Sequence, residues 1–283
     1  MGESGPSLQD WVGKQETRED TIGLERVRAM HAALDRAAPE PAEGDPLPPL
    51  WHWLYFWIIA PRSGLGRDGH PALGGFMPPV GTARRMWAGN RIRFLSPLRI
   101  GETVSRTSTI SSVSEKTGRS GRLVFVTVRH ETSGSQGKSI VDDHDIVYRE
   151  DTGRGASGRP GEPAPKQSAF SDTITPDPTL LFRYSALTFN GHRIHYDRDY
   201  AMKVEGYGGL VVHGPLLATL MVDLAVRSWS ERAISSFEFR GHRPIIDTAP
   251  FTVHAEPEDA DTLGLWVADA EGALAMAGRA AFR

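Results

Sequence analysis

The 283-residue sequence contains no cysteine. Disulfide bonds and thiolate metal sites are therefore excluded, and the composition fits a reducing, cytoplasmic location, which we expect. The sequence also lacks a basic excess, because 32 Lys and Arg residues stand against 35 Asp and Glu residues, a net charge of -3. Nucleic-acid-binding proteins normally carry a basic stripe. A nucleic-acid partner is therefore not expected.

Long apolar runs are absent as well. The longest extends from Leu50 to Ala60 and contains His52, whereas a membrane-spanning helix needs about 20 apolar residues. The N-terminal sequence MGESGPSLQDW has no basic start followed by an apolar segment, so we expect no secretory signal. Hydrophobic content of 39% and charged content of 24% are typical of a soluble globular protein, and we expect no membrane partner.

The first part of the chain predicts one helix followed by an antiparallel sheet. Residues 18–37 carry Ile22, Val27, Met30 and Leu34 near a 3.6-residue period, which predicts an amphipathic helix. Runs rich in Val, Ile, Thr and Phe then predict strands at 90–95, 103–113, 122–132 and 140–148.

The second part repeats this plan. Helices are predicted at 178–187, 197–204 and 215–227, and strands at 234–239, 251–255, 263–268 and 274–282. The segment 151–168 between the parts is rich in Gly and Pro, which predicts a linker or an exposed loop. We therefore expect an α+β double hotdog: a half at 1–150, a linker at 151–168 and a half at 169–283.

Proton-carrying groups concentrate in two neighbouring segments, 187–197 and 208–217. Gly214 and Pro215 open the most apolar helix of the sequence, whose leading N–H groups, those of Gly214 and Leu216, could polarise a carbonyl. The alternative is an ordinary Gly-Pro helix start. His213 precedes this helix, and it could line the same pocket or only brace the turn.

The earlier segment offers His192, Asn190, His195 and Asp197. A histidine is a suitable proton carrier near neutral pH, and Asn190 could hold a water or a carbonyl. Asp197 could orient a histidine or cap the next helix. His192 could be structural, and His195 could be an ordinary buried pocket histidine. A metal site of His192, His195 and Asp197 is the rival hypothesis; we expect no metal.

Arginines near these segments could bind carboxylates or phosphates. Candidates for a substrate carboxylate are Arg183, Arg193 and Arg240, with Arg243 beside the last. In the first half, Arg84, Arg85, Arg91 and Arg93 could contact a coenzyme A phosphate. For each arginine taken alone, a solvated surface role is the competing interpretation.

Residues 184–197 (YSALTFNGHRIHYD) and 209–216 (GLVVHGPL) resemble the MaoC-like hydratase/dehydratase superfamily, as do five first-half segments. These are 11–13, 49–54, 74–79, 85–89 and 145–149, so the resemblance covers nearly the whole chain. It is closest to the branch of mesaconyl-CoA and itaconyl-CoA hydratases and the mitochondrial 3-hydroxyacyl-thioester dehydratase. In the superfamily pattern Asp-x-Asn-Pro-x-His, the histidine corresponds to His195 and the aspartate to Asn190, an amide that cannot act as a base. The oxyanion-hole glycine corresponds to Gly214.

The resemblance implies a double hotdog whose second half is catalytic and whose first half supplies acyl-CoA surface. It implies reversible addition of water to an enoyl-CoA, preferably a C5 dicarboxylyl-CoA, with His195, Asn190 and Gly214 catalytic. Substrate binding would involve His192, Arg193, Asp197, His213, Leu216, Arg183 and Arg240. No cofactor is expected beyond the coenzyme A of the substrate, and a homodimer is one expected assembly. The alternatives are a dehydratase of fatty-acid synthesis, an acyl-CoA thioesterase and a non-catalytic acyl-thioester binding module.

Overall fold

The fold is taken from a computed structural model that describes residues 7–80, 83–118, 121–150 and 161–283, without the side chains of residues 83, 84, 118 and 150. Within these residues, ten strands form one antiparallel sheet. The strands are β1 (Gln15–Thr21), β2 (Ala83–Phe94), β3 (Thr103–Gly118), β4 (Gly121–Gly134), β5 (Gly137–Glu150), β6 (Phe170–Ile174), β7 (Ile234–Gly241), β8 (Phe251–Pro257), β9 (Thr262–Ala268) and β10 (Leu274–Phe282). The α-helices are α1 (Leu24–Ala33), α2 (Pro178–Thr188) and α3 (Gly214–Ser228).

The sheet has the strand order β1-β3-β4-β5-β2-β7-β10-β9-β8-β6. Its first five strands come from the first half of the chain and its last five from the second half. The halves meet where β2 pairs with β7, in register from Gly89 opposite Arg240 to Arg93 opposite Ser236. The predicted double hotdog is confirmed, and its two sheets are joined edge to edge into one.

Helix α3 is the central helix of the second half and packs against β6 to β10. Nine of its residues are buried, from Pro215 to Ala225, because its sequence is apolar nearly all round. Helix α2 begins where the carboxylate of Asp177 accepts hydrogen bonds from the N–H groups of Thr179 and Leu180. The predictions of both helices are confirmed, and proline at an early position favours both starts.

The helix predicted at 18–37 is partly wrong. Residues 15–21 form β1, which pairs with β3, and α1 covers only Leu24–Ala33. The helix predicted at 197–204 is a short π-helical turn at Tyr200–Val204. Of the linker predicted at 151–168, residues 151–160 lie outside the described part of the chain, while Pro163 forms a β-bridge with Ala273. No helix in the described part is both long and apolar enough to cross a membrane.

The first half contains a buried polar network centred on Asp142 of β5. Its carboxylate accepts hydrogen bonds from Trp53 Nε1, at 3.0 Å, and from Asn90 Nδ2 of β2. Trp87 Nε1 in turn donates to Asn90 Oδ1. Burial raises the pKa of Asp142, but the hydrogen bond and charge of His52, the charge of His130 and the hydrogen bond from Trp53 outweigh it, so the pKa stays below its usual value. The network ties the 51–54 turn to β2 and β5.

Replacing Asp142 with Ala leaves the two donors of Trp53 and Asn90 buried without an acceptor, so we expect a loss of about 3 kcal/mol in the free energy of unfolding. The matched control is Asp143→Ala, which removes the ion pair with the half-exposed Arg129. That change should cost less than about 1 kcal/mol. Urea unfolding followed by circular dichroism measures both; equal losses would contradict the buried network.

Candidate active site

The segment after α2 is fixed by a backbone turn. Phe189 ends the helix in the left-handed region, at φ 51°, and its ring stacks on Trp57 at 4.8 Å between centroids. The Asn190 N–H donates to the Ser185 carbonyl at 2.8 Å, and Asn190 Oδ1 accepts from the His192 N–H at 3.0 Å. One lone pair of Asn190 Oδ1 is therefore already used to shape the turn.

His195 ends a short 3₁₀ segment, Arg193–His195, and is buried. Its Nδ1 lies 2.7 Å from the carbonyl oxygen of Val211. Because a carbonyl only accepts, Nδ1 carries the proton and Nε2 keeps a lone pair. Burial lowers the pKa of His195 to about 4, although the Val211 carbonyl partly opposes this. The imidazole is therefore a neutral base across the physiological range.

His213 stacks on His195, with ring centroids 3.7 Å apart and planes inclined by 20°. It is fully buried, and its Nε2 lies 2.8 Å from the hydroxyl oxygen of Ser185. Burial lowers the pKa of His213, and the neighbouring histidines His195 and His192 lower it further. Burial therefore favours the neutral form of each imidazole, and the repulsion between two positive charges at this distance adds to it for the pair.

The N-terminus of α3 lies directly beyond this pair, since His213 is its N-cap and caps no helix N–H with its side chain. Gly214 is the first residue of the helix. A Cβ added to Gly214 would meet only the Met276 Cε, at 3.9 Å, which is ordinary contact. The protein itself therefore does not require glycine here, and the open space leaves room for a ligand against the leading N–H groups.

The predicted binding residues divide into two groups. His192 and His213 join His195, since the ring centroid of His192 lies 5.3 Å from that of His195. Arg193 and Asp197 form an ion pair at 2.7 Å, and Asp197 also accepts a hydrogen bond from the Tyr200 N–H. The capping role of Asp197 is therefore the one that the structure shows.

The remaining predicted residues differ in burial. The side chain of Leu216 is buried in the core, so only its backbone N–H can meet a ligand. Arg183 is exposed on α2, and Arg240 is exposed on the sheet face opposite the buried Phe239. Arg91 and Arg93 line an outer groove of about 400 Å³, and the side chain of Arg84 lies outside the described residues.

Two residues that the sequence did not single out complete the cluster: Asp68 and His70, from the first-half loop after residue 64. Asp68 Oδ2 lies 3.0 Å from His70 Nδ1, and the ring of His70 lies 4.4 Å from that of His192. In the sequence, these two residues could have been found only as an acid and a histidine two positions apart in a glycine-rich loop. Among the described residues, Asp68, His70 and His192 could hold a metal ion, because their ligand atoms lie within 4.8 Å of one another.

Comparison with known proteins identifies the family. Residues 50–247 match the family model of hydroxyacyl-thioester dehydratase type 2. The chain belongs to this family. It is 48% identical, over 94% of both chains, to a mesaconyl-C(4)-CoA hydratase of Chloroflexus aurantiacus. It is 30% identical to the mitochondrial hydroxyacyl-thioester dehydratase type 2 of Schizosaccharomyces pombe, over 78% of this chain and 80% of the other.

Solved structures support the fold. A MaoC-like dehydratase from Phytophthora capsici superposes with a TM-score of 0.72 at 16% identity, covering 98% of this chain and 97% of the other. A Mycobacterium tuberculosis protein with a double hotdog fold superposes with a TM-score of 0.60 at 14% identity, over 99% of both chains. The family places this chain among enzymes of the hydratase/dehydratase type, which are carbon–oxygen lyases.

Acid should destabilise the fold through the buried histidines. His195 has an ordinary pKa of about 6.5 when unfolded and about 4 when folded, so the unfolded state binds more protons between these values. Stability should be fully present above pH 6.5 and fall towards pH 4, by about 1.4 kcal/mol per pH unit for one such group. Urea unfolding at a series of pH values measures the slope. The His195→Gln variant should take up about one proton fewer on unfolding at pH 5; an unchanged slope would contradict the neutral buried state.

Proposed function

We propose that this protein adds water reversibly to the carbon–carbon double bond of an enoyl-CoA, with His195 as the proton carrier. The observation that carries this proposal is the position of His195. Its Nε2 lone pair is left free by the bond from Nδ1 to Val211, and its ring stacks on His213, the N-cap of α3. This supports a base next to the N-cap of α3, the helix whose leading N–H groups would be the donors.

In this mechanism, His195 Nε2 takes one proton from water as the water oxygen bonds to the β-carbon. The π-electron pair moves towards the thioester oxygen, and the resulting enolate takes the proton back from His195 at the α-carbon. A pKa of about 4 favours this return, because the imidazolium formed is a stronger acid than an ordinary one. Asn190, which cannot carry a proton, contributes only hydrogen bonds.

The thioester oxygen would lie at the N-terminus of α3. The N–H groups of Gly214 and Leu216 and the helix dipole stabilise negative charge at that position. Pro215 between them has no N–H. His213 holds this helix start in place through Ser185 on α2, so its role is support of the site.

The substrate that we propose is mesaconyl-C4-CoA, hydrated to citramalyl-CoA, because the relative with 48% identity bears that activity in its name. Itaconyl-CoA is a second C5 candidate. For the distal carboxylate we propose Arg85 of β2, in place of the coenzyme A phosphate contact expected from the sequence: it is half-buried, and its charge contributes to the low pKa values of His70 and His192, after the larger effect of burial. The dehydratase relatives favour testing the reverse reaction on 3-hydroxyacyl thioesters. Lack of a further cofactor, a cytoplasmic location and a homodimer stay predictions.

Replacing His195 with Gln should lower hydration by about 10²–10⁴-fold, because the proton carrier is lost. The decrease in enoyl-thioester absorbance of mesaconyl-C4-CoA measures it. His254→Gln is the control, because His254 is on the outer face of β8, stacked on Trp266, and should leave the rate unchanged. Release of free coenzyme A thiol in place of hydration would instead indicate a thioesterase, and binding without any reaction would indicate a binding module.

Replacing Gly214 with Ala tests the carbonyl site. The fold should tolerate the methyl group, since it would meet only the Met276 Cε. Hydration should nevertheless fall by about 10²-fold, because the methyl group blocks approach of the thioester to the helix N-terminus. The control is Gly208→Ala, whose added Cβ would meet nothing within 4 Å. Full activity of the Gly214 variant would rule out a carbonyl bound there.

A further inference from the structure

The first-half loop that carries Asp68 and His70 is fastened to the second-half motif. The Arg193 N–H donates to the Asp68 carbonyl at 2.9 Å, and Arg193 Nη1 donates to the Arg67 carbonyl at 3.1 Å. Gly69 has a φ of +90°, and a Cβ there would overlap the Gly191 carbonyl oxygen, so only glycine fits this approach. The loop is thereby held directly against the segment that contains His192 and His195.

Within this loop, Asp68 fixes the orientation of His70. One carboxylate oxygen of Asp68 accepts a hydrogen bond from the backbone N–H of His70 at 3.1 Å. The other lies 3.0 Å from the ring nitrogen Nδ1 of His70. The carboxylate holds its charge: burial raises the pKa of Asp68, but the hydrogen bond from His70 outweighs burial and keeps that pKa below its usual range. An ionised carboxylate only accepts, so Nδ1 of His70 carries the proton and Nε2 presents a lone pair. Both side chains are partly open to solvent, with exposed fractions of 28% for Asp68 and 20% for His70.

Water that adds to a double bond needs two hydrogen-bond acceptors, one for each hydrogen, so that an oxygen lone pair can face the β-carbon. His195 Nε2 is one acceptor. Asn190 is the weaker candidate for the other, because its Oδ1 already accepts from the His192 N–H and has only one lone pair left. His70 lies next to His192, with ring centroids 4.4 Å apart, and it is near enough to His195 for its charge to contribute to the low pKa of His195, after burial.

We propose that His70, oriented by Asp68, is the second acceptor that holds the reacting water, so that the two halves of the chain build the active site together. In hydration, one hydrogen of the water passes through His195 to the α-carbon. The other hydrogen stays on the oxygen as it bonds to the β-carbon, and it becomes the hydrogen of the product hydroxyl. His70 Nε2 accepts a hydrogen bond from that hydrogen throughout. In dehydration, His70 accepts from the hydroxyl group of the substrate.

This inference rests on the proposed hydratase function. Its first test is His70→Phe, which keeps a ring but removes the acceptor, assayed with mesaconyl-C4-CoA. We expect kcat to fall by about 10²-fold with KM within about threefold of the original enzyme, since the lost contact acts on the reacting water. His70→Gln, whose side-chain oxygen can still accept, should recover at least about tenfold of that loss. Circular dichroism and thermal unfolding check that each variant is folded.

Asp68→Asn tests the orienting role. An amide at this position no longer forces the proton onto Nδ1 of His70, so kcat should fall in the same direction as in His70→Phe. The double variant Asp68→Asn/His70→Phe should be no slower than His70→Phe alone, because the two residues act as one unit. Arg62→Gln is the control, since Arg62 is exposed in the short 3₁₀ segment just before this loop, and it should retain full activity.

The possible outcomes separate a role of His70 in holding water from a structural role, from a metal site and from failure of the hydratase function. Loss of activity in His195→Gln with unchanged kcat in His70→Phe would overturn this inference and leave the hydratase function in place. An equal loss in the Phe and Gln variants of His70, together with a lower unfolding temperature, would show a merely structural loop. Loss of activity on dialysis against a chelator, with stoichiometric metal found in the untreated protein, would show that Asp68, His70 and His192 hold an ion instead. A wild-type enzyme that hydrates no enoyl-CoA would overturn both proposals.

Discussion

The structure depends on the pairing of β2 with β7. This is the junction at which the first-half strands and the second-half strands become one sheet. At Gly89 the two strands approach so closely that a Cβ would overlap the Phe239 carbonyl oxygen. The first-half loop carrying His70 and the second-half segment carrying His195 belong to the two halves that this pairing joins, and the bonds from Arg193 to the loop carbonyls hold them together.

Burial decides the chemistry of the cluster. An isolated imidazolium is costly to bury, so each histidine stays neutral, and hydrogen bonds then decide which nitrogen keeps a lone pair. Val211 does this for His195, and Asp68 does it for His70. The two fixed partners differ in kind: a neutral carbonyl favours the imidazolium weakly, whereas a carboxylate favours it strongly. The arrangement therefore suits proton transfer at His195 and a fixed hydrogen-bond acceptor at His70.

Local signals predicted much of the fold and the second-half part of the site. The proline at the start of α2 and that of α3, and the alternation of buried and half-buried residues along β8, act over a few residues and are visible in sequence. Residues 18–21 were assigned to a helix because an apolar period begins just beyond them, whereas pairing with β3 makes them a strand. The strand β6 was also missed, since only its pairing with β8 reveals it.

Asp68 and His70 could not be placed from sequence for a different reason. The bond from Arg193 to the Arg67 carbonyl joins residues 126 positions apart, and no local pattern encodes such a contact. The loop itself reads as irregular, because glycine and proline dominate it. Sequence was also a poor guide to Arg183, near the motif, and to Arg240, near the end of β7, because both side chains are exposed. Proximity in sequence was a good guide within the 184–216 region and a poor one outside it.

The amide at position 190 is best explained by a site to which both halves of the chain contribute residues. Its backbone N–H and its side-chain oxygen both hold the turn that follows α2, through Ser185 and the His192 N–H. A carboxylate could accept from the same N–H, so the turn alone does not demand an amide. A second negative charge beside His192 and Asp68, however, would raise the pKa of the neutral histidines and favour their imidazolium forms. With one carboxylate already supplied by the first half, an amide at position 190 keeps His192 and His195 neutral, which is the state in which His195 can accept a proton from water.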